Sequence, residues 1–118
     1  MQEHDAAQWY VMQVMTGQEH KVEKALLQLK ERAVTDSEVE AAKRIVDVRV
    51  PVERVAYERK SGGAKLERDR KLYPGYVFAK LALYKSDDSI DPLLWSQIRE
   101  INGLIGFIGG EDPVPISD

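Results

Sequence analysis

The hydrophobic pattern opens with an apolar segment at residues 8–15 that predicts a β-strand. Successive side chains of a strand point to opposite faces of its sheet. Both faces are largely apolar here, with Trp9, Val11, Gln13 and Met15 on one and Tyr10, Met12 and Val14 on the other. We therefore expect this strand to lie in the middle of a sheet.

Two helical segments follow this strand. Thr16 with Glu19 matches a capping box, and apolar residues then recur at helical spacing at Val22, Leu26, Leu29 and Ala33. Thr35 with Glu38 repeats the capping pattern, which favours a second, short helix with apolar positions at Val39, Ala42 and Ile45.

A strand at 46–50 and a charged hairpin are predicted next. Pro51 ends the strand, and segments 52–60 and 65–71 flank a Ser-Gly-Gly-Ala sequence whose glycines suit a tight turn. The arms of the hairpin are charged on both faces, so we expect it to project from the domain.

The second half of the chain predicts a turn, a strand, a helix and a last strand. Residues 72–75 contain Pro-Gly and predict the turn, and 76–83 form the strongest strand signal. Asp91 as N-cap and Pro92 open a helix that Asn102-Gly103 closes, with a stripe at Leu94, Ile98 and Ile101. A strand at 104–108, a Gly-Gly turn and an extended tail at 111–118 complete the chain.

This order of elements predicts an α+β fold, with a mostly antiparallel β-sheet and helices packed on one face.

The chain has 118 residues and no cysteine, which excludes disulfides and thiolate metal sites. Its apolar stretches are too short to span a bilayer, and residues 1–7 lack the features of a signal peptide. We expect a cytoplasmic protein with no membrane partner.

Net charge is −3, which argues against a domain that binds nucleic acid mainly by coating phosphates. The charge is uneven: residues 52–71 carry 7 basic and 4 acidic groups, or +3. Because acids are interleaved with the bases, a solvated hairpin is the simpler interpretation.

No catalytic constellation, metal site or cofactor motif is evident, so we expect no enzyme. His4 and His20 have no partner at ligand spacing and are expected at the surface. Asp87 and Asp88 form a lone acidic pair in a predicted loop, which is usually solvent-facing. Phosphate-binding glycine loops and serine nucleophile motifs are missing.

Aromatic residues occupy one predicted sheet face. If the more aliphatic face packs on the helices, the opposite face carries Trp9, Val11, Gln13, Tyr76 and Phe78, with Tyr73 and Pro74 at its rim. Such a patch on a small domain indicates partner binding. Alternatively, the tail at 113–116 covers it, and spacing alone does not decide between these two interpretations.

Four segments together resemble one family. WYVMQVMTGQEHKV at 9–22, VRVPVERV at 48–55, RKLYPGYVFAKL at 70–81 and INGLIGFIGGEDPVPIS at 101–117 occur in the order seen in the N-terminal (NGN) domain of bacterial NusG proteins. The resemblance implies a ferredoxin-like NGN sandwich with a projecting hairpin. It also implies a monomeric factor that promotes processive transcription elongation and modulates pausing and termination.

The resemblance further implies contact residues. The clamp helices of the largest RNA polymerase subunit would bind Trp9, Val11, Gln13, Tyr73, Pro74, Tyr76 and Phe78. The opposite, gate side of the polymerase would meet Leu94 and Trp95. Contacts to non-template DNA would fall at Thr16, Gln18, Lys21 and Ser86.

The sequence departs from the family pattern in two ways. The connection at 31–47 is longer than usual and carries extra helical signal. We also expect residues 1–7 to be a disordered tail and 8–118 a single NGN domain, without the KOW domain through which the family contacts Rho or the ribosome. Two alternatives stay open: an operon-specific antitermination paralogue, and a free-standing RNA-binding module that stacks bases on the aromatic face.

Overall fold

The structure, a computed structural model, describes residues 6–58 and 65–116, and for 53–58 and 65–69 it describes the backbone. The elements in chain order are β1 Gln8–Val14, α1 Glu19–Glu31, α2 Asp36–Lys43, β2 Ile45–Arg49, β3 Val52–Glu58, β4 Lys65–Lys71, β5 Tyr76–Leu81, α3 Pro92–Arg99 and β6 Leu104–Phe107. Residues 1–5 form most of the predicted N-terminal tail and include His4, and they lie outside the described residues.

The predicted α+β fold is confirmed. Four strands form one antiparallel sheet in the order β2-β5-β1-β6, so β1 and β5 are the inner strands. The apolar composition of both β1 faces predicted this central position. None of the described helices has both the length and the apolar character needed to cross a bilayer.

The core lies between one sheet face and the three helices. The predicted aliphatic face supplies side chains that are at most 3% exposed, namely Tyr10, Met12, Val14, Val77, Ala79 and Leu81. The helices contribute residues at helical spacing: Val22, Leu26, Ala41, Leu94 and Ile98. The choice of which sheet face packs on the helices is therefore confirmed.

The hairpin β3–β4 forms a separate two-stranded sheet. Its strands pair in continuous register from Val52 opposite Lys71 to Glu58 opposite Lys65, while the predicted tip at 61–64 lies outside the described residues. The Leu72 N–H donates to the Pro51 carbonyl at 3.0 Å and closes the base of the hairpin. The molecule measures 61 × 30 × 25 Å, which fits a hairpin that projects from the body.

The helix caps at Thr35 and Asp91 are confirmed. Thr35 and Glu38 form both hydrogen bonds of a capping box. The Asp91 carboxylate accepts the N–H groups of Leu93 and Leu94, and Pro92 occupies the first turn. Both caps were predictable because they depend on residues three or fewer positions apart.

Four predictions about element boundaries are wrong. The apolar stripes predicted for α1 and α3 included Ala33 and Ile101, but these helices end at Glu31 and Arg99. Thr16 does not cap α1, which begins at Glu19 without a side-chain cap, because the Glu19 carboxylate turns inward to other partners. Ile45 does not belong to α2; it is the first residue of β2, where a register irregularity lets it stay buried opposite Leu81.

The tail runs beside β1 as an extension of the sheet. After β6, Ile108 donates its N–H to the Val11 carbonyl at 2.9 Å, and Ile116 donates to the Trp9 carbonyl at 2.8 Å. Between these points Gly109 and Gly110 turn the chain with positive φ, and the Tyr84 hydroxyl lies 3.2 Å from the Pro113 carbonyl oxygen. The tail is thus fixed at both ends of its loop.

We expect Gly109→Ala to lower the free energy of unfolding by about 2 kcal/mol, because its φ of +100° disfavours a side chain. A Cβ at this position would also lie 2.5 Å from the Asp112 carbonyl oxygen. Urea denaturation measures the effect. Gly106→Ala is the matched control, since a Cβ there meets nothing within 4 Å; equal stability of the two variants would contradict the prediction.

Candidate partner-binding face

The sheet face opposite the helices is made of three rows of side chains that cross the strands. Residues directly opposite each other in antiparallel strands point to the same face. The rows, from β2 towards the tail, are Asp47, Lys80, Trp9 and Ile116; Arg49, Phe78, Val11 and Ile108; and Tyr76, Gln13 and Gly106. We call these residues, with Tyr73 and Pro74, the open face.

All seven residues predicted for partner binding lie together on the open face or at its rim. Val11 and Phe78 are direct neighbours at its centre, and Gln13 pairs with Tyr76. Tyr73 is 54% exposed, and its ring lies 5.5 Å from the Phe78 ring, centroid to centroid. A contiguous aromatic surface of this kind is typical of a site that a protein partner covers.

The tail borders the open face and does not lie over it. Its backbone pairs edge to edge with β1, so its side chains add to the face beside Trp9 and Val11. Ile108 and Ile116 are 43% and 39% exposed there. The described part of the tail therefore enlarges the apolar surface, and the alternative in which the tail covers it does not hold. No signal in the sequence indicated the pairing of the tail with β1.

Three charged residues that the sequence analysis missed lie at one corner of the open face. Asp47 and Arg49 come from β2, and Lys80 comes from β5. The Arg49 guanidinium carbon lies 6.0 Å from the centroid of the Trp9 ring. Alternation with buried Val48 places Arg49 on this face, but only the β2–β5 register brings it next to the aromatic residues.

The rim of the open face is tied to α1 through Glu19, whose side chain has no exposed surface. Its Oε2 accepts the Gly75 N–H at 2.7 Å, and the Lys71 ammonium lies 3.1 Å from Oε1. Gly75 has a φ of +87° and ends the turn that presents Tyr73 and Pro74. Glu19 thus fixes the aromatic turn and the last residue of β4 against the start of α1.

Burial favours the neutral acid and alone would raise the pKa of Glu19. Hydrogen bonds from the Gly75 N–H and from its own N–H, together with Lys71, outweigh this effect and lower the pKa from 4.5 to about 2. The sequence held a signal for this role, since Glu19, Val22 and Leu26 share one helical stripe and the last two are buried.

The two residues predicted for the gate side, Leu94 and Trp95, lie in different environments. Leu94 departs from the expected surface position, because it is fully buried and packs in the core. Trp95 stacks on Phe107 at 5.5 Å and lines a cleft of about 270 Å³ between α3 and β6. Only Trp95 of this pair presents surface to a partner, and it lies on the helix side, away from the open face.

The four residues expected near DNA do not form one cluster. Thr16 and Gln18 lie in the connection from β1 to α1, and Lys21 is exposed on the first turn of α1. Ser86 follows β5, which runs antiparallel to β1, so it lies at the opposite end of the sheet. The length of a seven-residue strand, about 20 Å, separates the two ends.

Among the side chains that the structure describes, no group of three or more His, Asp or Glu residues could hold a metal ion. The exposed His20 ring pairs with Glu23 at 3.2 Å. Asp87 accepts hydrogen bonds from the Ser89 hydroxyl and N–H, which lower the pKa of its carboxyl group. His20 and Glu23 therefore interact within α1, and Asp87 and Ser89 interact within the loop that follows β5.

Comparison with protein families finds a match to the model described as "Transcription termination factor nusG" over residues 7–118. A relative from Chlamydia pneumoniae, named transcription termination/antitermination protein NusG, is 36% identical over 111 residues, which cover 93% of this chain and 52% of the relative. The protein of the same name from Thermus thermophilus is 34% identical over 111 residues, covering 93% of this chain and 55% of the relative. The chain spans about half the length of the curated relatives it matches.

A solved structure described as "Domain interaction in Thermotoga maritima NusG" shares the fold. Its TM-score is 0.63 at 21% sequence identity, and the match covers 98% of this chain and 53% of that chain. At this level of identity the likeness supports the fold alone.

The buried Glu19 predicts a specific acid sensitivity. Because its folded-state pKa is lowered, its stabilising contribution is complete above about pH 5 and is lost as pH falls towards 2. A shift from 4.5 to about 2 corresponds to on the order of 3 kcal/mol. Urea denaturation of the parent protein and Glu19→Gln should therefore show a stability difference at pH 7 that narrows steadily below pH 5.

Glu31→Gln, at an exposed position in the last turn of α1, is the control and should track the parent at every pH. Parallel pH profiles for the parent and Glu19→Gln would show that this carboxylate does not account for the acid dependence.

Proposed function

The chain belongs to the NusG family, and from that premise we propose that it is the family's N-terminal domain and docks on RNA polymerase through the open face. One observation supports this proposal: the seven predicted contact residues lie together on one aromatic surface, on the inner strands β1 and β5 and in the turn before β5. The partner surface we propose is the clamp-helix coiled coil of the polymerase's largest subunit.

The shape and chemistry of the open face support docking of a helical partner. Its centre, at Phe78 and Val11, is apolar and part-exposed, and the exposed Tyr73 ring lies next to Phe78 at an interplanar angle of 50°. Aromatic residues surrounded by smaller contacts are the usual source of binding energy in a protein interface.

We further propose that this docking promotes processive transcription elongation and modulates pausing and termination. The names of the relatives support a role in transcription termination and antitermination. Contacts to Rho or the ribosome would belong to the family's KOW domain, and we do not assign them to the open face. We propose a monomer that acts where the polymerase does, in the cytoplasm, without enzymatic activity.

Two secondary contacts complete the proposal. Trp95, beside the cleft between α3 and β6, would face the gate side of the polymerase while the open face holds the clamp. Thr16, Gln18 and Lys21 would lie near non-template DNA, and Ser86 is separated from them by the length of β1. A paralogue that reads a specific operon element would need sequence-dependent binding at this first group.

The alternative, an RNA-binding module, has one observation in its favour: Arg49 lies over Trp9 at the edge of the aromatic surface. A stacking platform for single strands also needs a cationic groove. Asp47 lies 3.0 Å from the Arg49 Nε, and the chain has a net charge of −3, so docking of a protein is favoured.

Calorimetric titration of this domain against the isolated clamp-helix coiled coil tests the proposal. We expect Phe78→Glu to weaken binding by at least about 2 kcal/mol, roughly thirtyfold, because it places a charge in the apolar centre. Tyr73→Ala should weaken binding by about fivefold without loss of stability, since Tyr73 is 54% exposed and lies outside the core.

Val34→Glu is the matched control, because Val34 is 83% exposed in the connection between α1 and α2, on the helix side. Circular dichroism and thermal unfolding establish that each variant is folded. Unchanged affinity of a folded Phe78→Glu protein would exclude docking through the open face. Binding of single-stranded RNA at low salt by the parent protein, with no binding of the coiled coil, would favour the alternative.

A further inference from the structure

The charge on the open face is confined to one corner, which we call the charged corner: Asp47, Arg49 and Lys80. Asp47 and Lys80 stand directly opposite each other across β2 and β5, and Lys80 stands opposite Trp9. The rest of the three rows is uncharged. Arg49 and Lys80 against Asp47 give this face a local charge of +1, on a chain whose net charge is −3.

Arg49 is held in a defined orientation. Its Nε lies 3.0 Å from Asp47 Oδ2, while Asp47 Oδ1 accepts the Val48 N–H at 2.9 Å. One hydrogen bond to Asp47 thus orients the guanidinium, whose carbon lies 6.0 Å from the Trp9 ring centroid. Its Nη1 and Nη2 atoms make no hydrogen bond to any described residue, and the Arg49 side chain is 69% exposed.

Lys80 adds a second cation next to this fork. Its ammonium has no ion-pair partner in the part of the chain that the structure describes, although Asp47 is its cross-strand neighbour. The Asp47 carboxylate is already used by Arg49 and by its own strand. The two terminal nitrogens of the guanidinium and one ammonium thus remain available at the edge of the apolar surface.

We infer that the charged corner receives a carboxylate side chain of the docking partner, bound by the terminal nitrogens of Arg49 with Lys80 beside it. This inference rests on the proposed docking and specifies the chemistry of the partner: an apolar helical surface with an Asp or Glu at the end that meets β2. A planar guanidinium with two free terminal nitrogens matches the two oxygens of a carboxylate.

A nucleic-acid phosphate is the less favoured occupant of the charged corner. Single-strand binding surfaces combine stacking residues with a positive groove that follows the backbone over several nucleotides. Here the cations occupy one end of two rows, and the row of Tyr76, Gln13 and Gly106 is uncharged. A single carboxylate fits this arrangement better than a chain of phosphates does.

Binding kinetics of the clamp-helix coiled coil to charge-reversal variants test the inference. Arg49→Glu should weaken binding about tenfold at low salt, mainly through slower association, and the difference should shrink as salt is raised. Lys80→Glu should act in the same direction. Arg49→Lys should fall between the parent and Arg49→Glu, because it keeps the charge and loses the fork.

Lys24→Glu, an exposed reversal on α1, is the control and should bind like the parent protein. If Phe78→Glu abolishes binding while Arg49→Glu and Lys80→Glu both bind like the parent, the docking stands and the carboxylate contact is overturned. Absence of binding by the parent protein overturns both. A loss of single-stranded RNA binding in Arg49→Glu, with coiled-coil binding unchanged, would assign the corner to phosphate.

Discussion

Burial of the Glu19 carboxylate constrains the whole arrangement of this domain. A charged group without contact to water is tolerated only when fixed partners compensate for its lost hydration. Its partners are the Lys71 ammonium and the Gly75 N–H, and Gly75 lies 56 residues further along the chain. One side chain therefore joins the start of α1, the end of β4 and the turn before β5. The positions of the hairpin base and of the aromatic turn are set by the same pair of contacts.

The open face depends on this constraint and on the alternation of two strands. In β1 and β5, one set of side chains fills the core and the other set forms the open face, so a single pair of strands supplies both the core and the proposed docking surface. Val11 and Phe78 are direct cross-strand neighbours at the centre of the open face, and Tyr73 on one side and the tail on the other extend that surface. The turn and the tail are held by Glu19 and by backbone pairing with β1, respectively.

Local patterns in the sequence predicted most of the fold. The caps at Thr35 and Asp91, the inner position of β1 and the face that packs on the helices all depend on residues near each other in the chain. The wrong predictions at Glu19 and Ile45 came from contacts between distant segments. Glu19 resembles half of a local capping box, and only the approach of Gly75 shows that it faces inward. Ile45 continues a helical spacing until its pairing with Leu81 is known. The same distinction separates the residues of the candidate site. Alternation along each strand identified the aromatic residues. Arg49, Ile108 and Ile116 were missed, because only the pairing of distant strands places them beside the aromatic residues.

The strand order has a further consequence for how the open face would meet a partner. Because β1 and β5 have hydrogen-bonded neighbours on both edges, their amide protons should exchange with solvent only when the whole domain unfolds. The backbone that carries Val11 and Phe78 is thus ordered before any encounter, and association restricts only side chains such as Tyr73. Substitutions in the distant helical layer would then change how many molecules are competent to dock, through global stability, and leave the affinity of each folded molecule unchanged.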